Sequence, residues 1–264
     1  MVAIEDYEPP GDPPDEPAAK NDRQTEERAK TKTKIALAKA KLTAARRHER
    51  LFEDAAERIV KREKNQVLDK AKKTLTERGQ EDFLVWLEDY YREAPEWMKR
   101  VLKPALLTYT ETIQALAAQE VGADAGMTPE LEKWMDGYLD IWARNYTQSS
   151  LGQLQALIRK ANEEALDALE LIEQRMEEWE ERRPGKVARN EPIEAAGVIS
   201  KFVYAAIGIR YLRWVNTGSD TCPYCKELDG RVVGIDQAFV GKGDRLDSED
   251  GQMNINKPAL TPTL

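Results

Sequence analysis

Apolar side chains recur every three to four positions along most of the chain, which predicts a mainly α-helical protein. Residues 25–80 are almost free of glycine and proline, and their apolar positions from Phe52 to Leu75 predict one long amphipathic helix. The first half of this helix carries only a thin, alanine-rich apolar stripe, which favours packing on a partner or exposure to solvent. A denser apolar pattern predicts a helical body over residues 81–207.

Polar caps and prolines predict where the helices of this body begin and end. Thr128 followed by Pro129 is the expected N-cap and first-turn pair of a helix. The next helix is expected to begin after Gln148–Ser149–Ser150 and to end at Pro184–Gly185, because proline cannot continue the hydrogen-bond ladder of a helix. A last helix is expected over residues 193–207.

The pattern changes at residue 208, where alternating β-branched and aromatic side chains predict a small β element. Residues 209–217 are typical of a strand, and Leu228–Asp229–Gly230 has the form of a turn that leads into a second strand. The sequence therefore predicts a mainly α fold, an elongated helical bundle with a small C-terminal β-hairpin or knuckle element (α+β) over residues 208–240.

Both ends of the chain lack the apolar content of a core. Residues 1–24 hold five prolines among acidic and small residues, which predicts a disordered acidic tail. Residues 241–264 carry glycines, acidic residues and prolines with few apolar positions, which predicts a flexible tail.

Composition argues against a membrane protein. Charged residues make up 33% of the 264 positions, and the mean hydropathy is −0.67. No stretch approaches the roughly 18 uninterrupted apolar residues of a membrane span, and the N-terminal sequence lacks the basic start and apolar run of a signal peptide. We therefore expect a soluble protein that is not exported.

The net charge of −8 hides a basic segment between Glu26 and Arg78, which holds 17 Lys and Arg against nine Asp and Glu. Such a segment favours contact with nucleic acid or an acidic partner surface, with Arg46, Arg47 and Arg50 as candidate contacts. A solvated basic helix explains the same pattern.

The sharpest chemical motif is Cys222–Pro223–Tyr224–Cys225, which contains both cysteines of the chain. Two thiolates at this spacing form half of a tetrahedral zinc site, which nearby aspartates such as Asp220, Asp229 or Asp236 could complete. Dithiol redox chemistry is less well supported, because no long helix follows the motif and no βαβ pattern surrounds it. Two ordinary thiols in a tight turn, packed beneath Tyr224 and Trp214, are favoured over both of these uses by the residues alone.

Other catalytic motifs are missing from the sequence. The single histidine, His48, is flanked by arginines on a charged helix and is expected at the surface rather than in a catalytic triad. The sequence contains neither a P-loop nor a dinucleotide-binding glycine pattern. We therefore predict no catalytic residues.

The block from Val187 to Val233 resembles the C-terminal signature of the phage Mu F-like head morphogenesis family, the minor capsid proteins of tailed bacteriophages. Ala188–Arg189–Asn190–Glu191 matches the family's opening Ala-Arg-Thr-Glu with Asn in place of Thr. The helices from about Leu131 to Arg183 are also of the expected kind, so the resemblance covers about half of the chain. The remaining matches follow in order and are Gly208 through Trp214, Asp220, Cys222, Pro223, Cys225, Leu228 and Gly230.

One departure concerns the cysteines. Family members usually continue into a His-Pro-x-Cys-x-Cys type segment that looks like the complement of the first pair, and this sequence ends at Leu264, about where that segment would begin. Cys222 and Cys225 are the candidate zinc ligands of this chain. Together with Trp214, Asp220 and Gly230 they are expected to hold the shape of the knuckle.

The resemblance implies a virion component that is present in few copies and acts near the portal in head assembly, DNA packaging or ejection, without catalytic activity. The implied partners are the portal protein, the major capsid protein and phage DNA, with no membrane, no small-molecule substrate and no cofactor besides the candidate zinc. The implied location is the virion, and the host cytoplasm during assembly. Two alternatives stay open: a nucleic-acid-binding accessory protein that uses the basic helix, and an effector enzyme domain carried on a capsid-type module.

Overall fold

The computed structural model describes residues 2–4, 17–75, 79–124, 126–216 and 223–255. Over these residues the predicted fold class is confirmed, since the chain is mainly α-helical with a small β element. None of the helices described there is long and apolar enough to cross a membrane. The elements in chain order are β1 (Val2–Ile4), α1 (Pro17–Thr74), α2 (Gln80–Val121), α3 (Pro129–Glu164), α4 (Ala168–Ala206), β2 (Tyr211–Trp214), α5 (Pro223–Glu227), β3 (Val232–Gly234), β4 (Arg245–Ser248) and β5 (Gly251–Asn254).

One compact unit, called here the helical unit, is formed by His48–Tyr109 and Thr128–Pro192. It draws on segments of α1, α2, α3 and α4, whose apolar faces share one core. Full burial of each large apolar side chain contributes about 1.5–3 kcal/mol. The completely buried members of this core are Ile59, Val67, Ala71, Phe83, Leu87, Ala94, Met98, Ala143, Leu154, Ile172 and Met176.

The second compact unit, called here the α/β unit, comprises Met1–Arg47, Thr110–Met127 and Ile193–Leu264. It contains an antiparallel sheet in the order β1-β2-β3 and a separate two-stranded pair, β4-β5. In the first sheet Trp214 lies opposite Val2 and Leu212 lies opposite Val233. The core of this unit includes Ala117, Tyr204, Leu212, Trp214, Leu228, Phe239, Val240 and Leu246.

The start of α3 is as predicted, but its end is not. The hydroxyl of Thr128 caps the helix by accepting a hydrogen bond from Leu131 N at 3.2 Å. The helix continues through Gln148–Ser149–Ser150 to Glu164 and is capped by Ala165, which has a left-handed φ of 54°. The predicted boundary at the polar triplet is therefore wrong. Ser150 is buried inside the helix, where its hydroxyl accepts a hydrogen bond from Arg183.

The helix α4 begins later and runs further than the sequence predicts. The carboxylate of Asp167 accepts hydrogen bonds from Leu169 N at 2.8 Å and Glu170 N at 3.3 Å, and so caps the helix start. The helix then continues through both Pro184 and Pro192, which were expected to separate two helices. Side chains on both sides of the prolines are buried, among them Met176 and Trp179 before Pro184 and Ala195 and Ile199 after Pro192. Such packing offsets the roughly 3 kcal/mol cost of an internal proline.

The predicted tails also differ from the structure. Strand β1 and the first turns of α1, from Pro17, lie within the predicted disordered tail 1–24, whose other residues are outside the described ranges. Within the predicted flexible tail 241–264, β4 and β5 pair in register from Arg245 opposite Asn254 to Ser248 opposite Gly251. This hairpin is anchored by a few buried apolar groups rather than by a long apolar run, which is why the pattern did not reveal it.

Candidate functional site

The predicted knuckle is built around Trp214, the last residue of β2. Its indole is 1% exposed and meets the ring of Phe239 edge to face, with ring centroids 5.3 Å apart. Its backbone pairs with the hairpin partner, since Trp214 N donates to Arg231 O and Gly230 N donates to Trp214 O, both at 2.9 Å. Trp214 therefore joins the sheet to the core of the α/β unit.

Asn216 links the strand to the thiol-bearing turn, and the sequence analysis did not single it out. Its backbone N–H donates to the carboxylate of Asp229 at 2.8 Å, and its side-chain amide donates to Cys225 O at 3.0 Å. The indole N–H of Trp214 donates to its side-chain oxygen at 3.3 Å. An asparagine two residues after a buried strand end, in a turn-rich segment, was the available signal.

Part of the cysteine motif can be placed. Cys225 is half-buried in the short helix α5 and packs against the core of the α/β unit, as does Tyr224. Cys222 and Asp220 lie outside the described residues. Within the described ranges no three His, Cys, Asp or Glu side chains are grouped as metal ligands. The zinc half-site at Cys222 and Cys225 remains a prediction.

The basic candidates differ in their surroundings. Arg46, Arg47 and Arg50 are all exposed on α1. Arg50 is surrounded by acidic groups, with Glu53 at 3.2 Å, Asp54 at 2.9 Å and Glu57 at 3.9 Å. These acidic neighbours neutralise the positive charge of Arg50, which would otherwise attract a polyanion. Arg50 is therefore a poor contact for nucleic acid.

His48 is half-buried rather than fully at the surface. Its ring lies edge to face on Tyr109, with centroids 5.3 Å apart.

A buried carboxylate, Glu63, lies at the centre of the helical unit and was missed by sequence reasoning. It is 0% exposed and accepts hydrogen bonds from Tyr91 at 2.7 Å and from Tyr146 at 2.6 Å. The guanidinium of Arg183 lies 3.4 Å from the same carboxylate and stacks on the ring of Trp179. One side chain from each of α1, α2, α3 and α4 thus meets at one point. We call Glu63, Tyr91, Tyr146 and Arg183 the Glu63 cluster.

The α/β unit contains a second buried polar group. The ammonium of Lys41 donates to Glu120 and to the hydroxyl of Tyr204, both at 2.5 Å, and Tyr204 donates to Glu120 at 2.6 Å. Burial lowers the pKa of Lys41, although the negative charge of Glu120 acts in the opposite direction. Burial and the nearby Glu120 raise the pKa of Tyr204 well above its usual value.

The buried tyrosines predict how stability depends on pH. Burial raises the pKa of Tyr90, Tyr91, Tyr109, Tyr146 and Tyr204, and Glu63 raises the first two and Tyr146 further. Above about pH 10 the unfolded chain loses these protons while the native chain keeps them, so the free energy of unfolding falls as pH rises. The lowered pKa values of Lys41 and Lys201, both caused by burial, act in the opposite sense, but they are two groups against five.

We therefore expect a near-ultraviolet titration to show two phases. In the second phase the five tyrosines with raised pKa values ionise together with the loss of helical circular dichroism. Gradual ionisation of all nine tyrosines with the helical signal intact would contradict this expectation.

Comparisons with known proteins give no relative from which a function could be transferred. No protein-family model matches the chain, and neither the curated proteins nor the solved structures include a significant match. The residues of the chain and their geometry are therefore the basis of the functional proposal.

Proposed function

We propose that this chain is a minor head protein of a tailed bacteriophage that acts near the portal as a structural component, without catalysing a reaction. The observation that carries the proposal is the ordered match between Ala188 and Gly230 and the phage Mu F-like pattern. A lone Cys-x-x-Cys pair is a weak signal. A helix opening, a strand, a thiol-bearing turn and a hairpin glycine in the same order are far more specific.

The contacts of the matched residues support a structural role for the pattern. Trp214 fills the core of the α/β unit, and Leu228 is buried beside it. Gly230 has a φ of +79°, a conformation that favours glycine, and its N–H closes the turn onto the Trp214 carbonyl. The pattern positions therefore include those that shape the turn and fill its core.

The buried ionisable groups also support a structural role. Glu63 is enclosed by the hydroxyls of Tyr91 and Tyr146, and Lys41 by Glu120 and Tyr204. A catalytic acid, base or nucleophile must instead reach a reacting atom in a space that a substrate can enter. Polar groups that satisfy one another inside a helix packing are typical of groups that fix the arrangement of the helices.

The proposal is tested by disrupting the gene in the genome that carries it and inducing particle production. We expect mass spectrometry to find the chain at low copy in purified wild-type particles. We expect the disrupted genome to yield fewer DNA-filled, infectious heads. Complementation by the wild-type chain or by Tyr211→Ala should restore the yield, whereas Trp214→Ala should not. A chain that is absent from purified particles, with an unchanged yield of heads after disruption, would refute the proposal.

A further inference from the structure

A groove between α1 and α2 in the helical unit combines basic and aromatic side chains. It opens to solvent and encloses a cavity of about 400 Å³, which is in the size range of ligand pockets. We call it the basic–aromatic groove. Its basic residues are Arg62, Lys70 and Lys73 on α1, and its aromatic residues are Trp86, Tyr90 and Trp97 on α2.

Helical spacing places each set on one face. On α1 the lining residues Arg62, Gln66, Lys70 and Lys73 are separated by four, four and three positions. On α2 the lining residues Trp86, Tyr90, Ala94 and Trp97 follow the same spacing. Residues three and four apart lie on the same side of a helix, so a row of cations faces a row of rings along the groove.

The cations of this groove are not neutralised as Arg50 is. Arg62, Lys70 and Lys73 form no ion pair with any residue in the described part of the chain. Arg62 lies over the Trp97 ring at 4.4 Å and Lys70 over the Trp86 ring at 6.0 Å. Such contacts hold the cations beside the rings and leave their N–H groups able to donate to an anion.

Two more observations complete the lining. Tyr90 has a buried hydroxyl that makes no hydrogen bond within the described ranges, so a polar group of a ligand or a water molecule would satisfy it. Asp69 and Glu93 also line the groove, which leaves three formal positive charges against two negative ones. Charge alone is therefore modest, and the rings must contribute to recognition.

We propose that the basic–aromatic groove binds single-stranded nucleic acid. The phosphates of the strand contact Arg62, Lys70 and Lys73. An unpaired base packs against the exposed part of the Trp86 and Tyr90 rings, which stack on each other with centroids 5.0 Å apart. Aromatic side chains beside a basic track are the combination that binds single strands without reading sequence. A duplex keeps its base faces inside the stack, and an acidic peptide has no bases. Neither would therefore contact both the basic side and the aromatic side of the groove. The proposal rests on this groove alone and does not depend on a role in phage heads.

The experiment measures binding of the full chain to a short fluorescent oligo-dT by anisotropy over a series of NaCl concentrations. Each phosphate contact on a single strand contributes about −0.7 to the slope of log K against log salt. Three cations therefore predict a slope of about −2. The double variant Lys70→Gln with Lys73→Gln should bind more weakly and reduce the slope to about −0.7.

A second variant tests the aromatic wall. We expect Trp86→Leu to weaken binding by roughly fivefold or more at every salt concentration, with the slope unchanged, because stacking involves no counterion release. Urea unfolding of each variant shows whether it is folded under the binding conditions. The lysine variants carry the test if Trp86→Leu is unstable.

The matched control is Lys133→Gln with Arg159→Gln, which removes two exposed charges from the same unit. We expect this control to bind oligo-dT as the wild-type chain does. The proposal is wrong if the wild-type chain does not bind oligo-dT at low salt, or if the control weakens binding as much as the groove variant does. Equal competition by duplex DNA or by polyglutamate would also overturn it.

Discussion

Replacing Arg183 with methionine is expected to lower the free energy of unfolding of the chain by about 3 kcal/mol. The change removes the cation that faces the fully buried carboxylate of Glu63. A carboxylate left in the interior without a countercharge is costly, although the hydrogen bonds from Tyr91 and Tyr146 remain. Methionine keeps an unbranched apolar side chain beside Trp179, so loss of packing accounts for little of the effect.

The neighbouring residue provides the control. Arg182 is exposed and pairs with Glu178 at 3.2 Å on the surface of α4, so Arg182→Met should change the free energy of unfolding by only about 0.5 kcal/mol. The measurement is urea unfolding followed by tryptophan fluorescence and circular dichroism. Adding Glu63→Gln to Arg183→Met should recover part of the loss, because the charge is then removed. Equal, small effects of both arginine variants would show that Glu63 does not need this cation.

The Glu63 cluster shows a limit of sequence reasoning. Glu63 lies in a strongly charged segment, where carboxylates usually face solvent, and no local pattern marks it as buried. Its burial depends on Tyr91, Tyr146 and Arg183, which are 28, 83 and 120 positions away. Only the packing of four helices brings these groups together, so a single sequence could not predict the cluster.

Some boundaries could have been read more accurately. Asp167 with Glu170 three positions later has the form of a capping box, which marks the true start of α4. Asp250–Gly251 is a typical hairpin signal, and it lies where the turn after β4 passes into β5, which begins at Gly251. In both places the local signal predicts the observed structure, whereas the composition of the longer segment does not.

Periodicity succeeded where one face is clearly apolar. The strand predicted over 209–217 contains β2, and Leu212 and Trp214 on its alternate positions are the buried ones. Thr128 caps α3 as its sequence context predicts. The prolines of α4 do not end the helix, because a local rule about hydrogen bonds does not include the tertiary packing on either side of them.

Replacing Trp214 with alanine is expected to lower the free energy of unfolding by about 3–5 kcal/mol. The indole is almost completely buried, contacts Phe239 and donates its N–H to Asn216. Its removal leaves a cavity at the strand that pairs with both β1 and β3. We expect urea unfolding to detect the loss and near-ultraviolet circular dichroism to weaken.

Two further variants separate burial from strand position. Tyr211 begins the same strand and is 43% exposed, so Tyr211→Ala should lower the free energy of unfolding by less than about 1 kcal/mol. Trp214→Phe keeps a ring against Phe239 but loses the N–H that reaches Asn216, and its effect should lie between the two. A Trp214→Ala chain as stable as Tyr211→Ala would mean that the knuckle is not held by this core. The structural interpretation of the matched pattern would then fail with it, because Trp214 is the matched residue that joins the strand, the hairpin turn and the core.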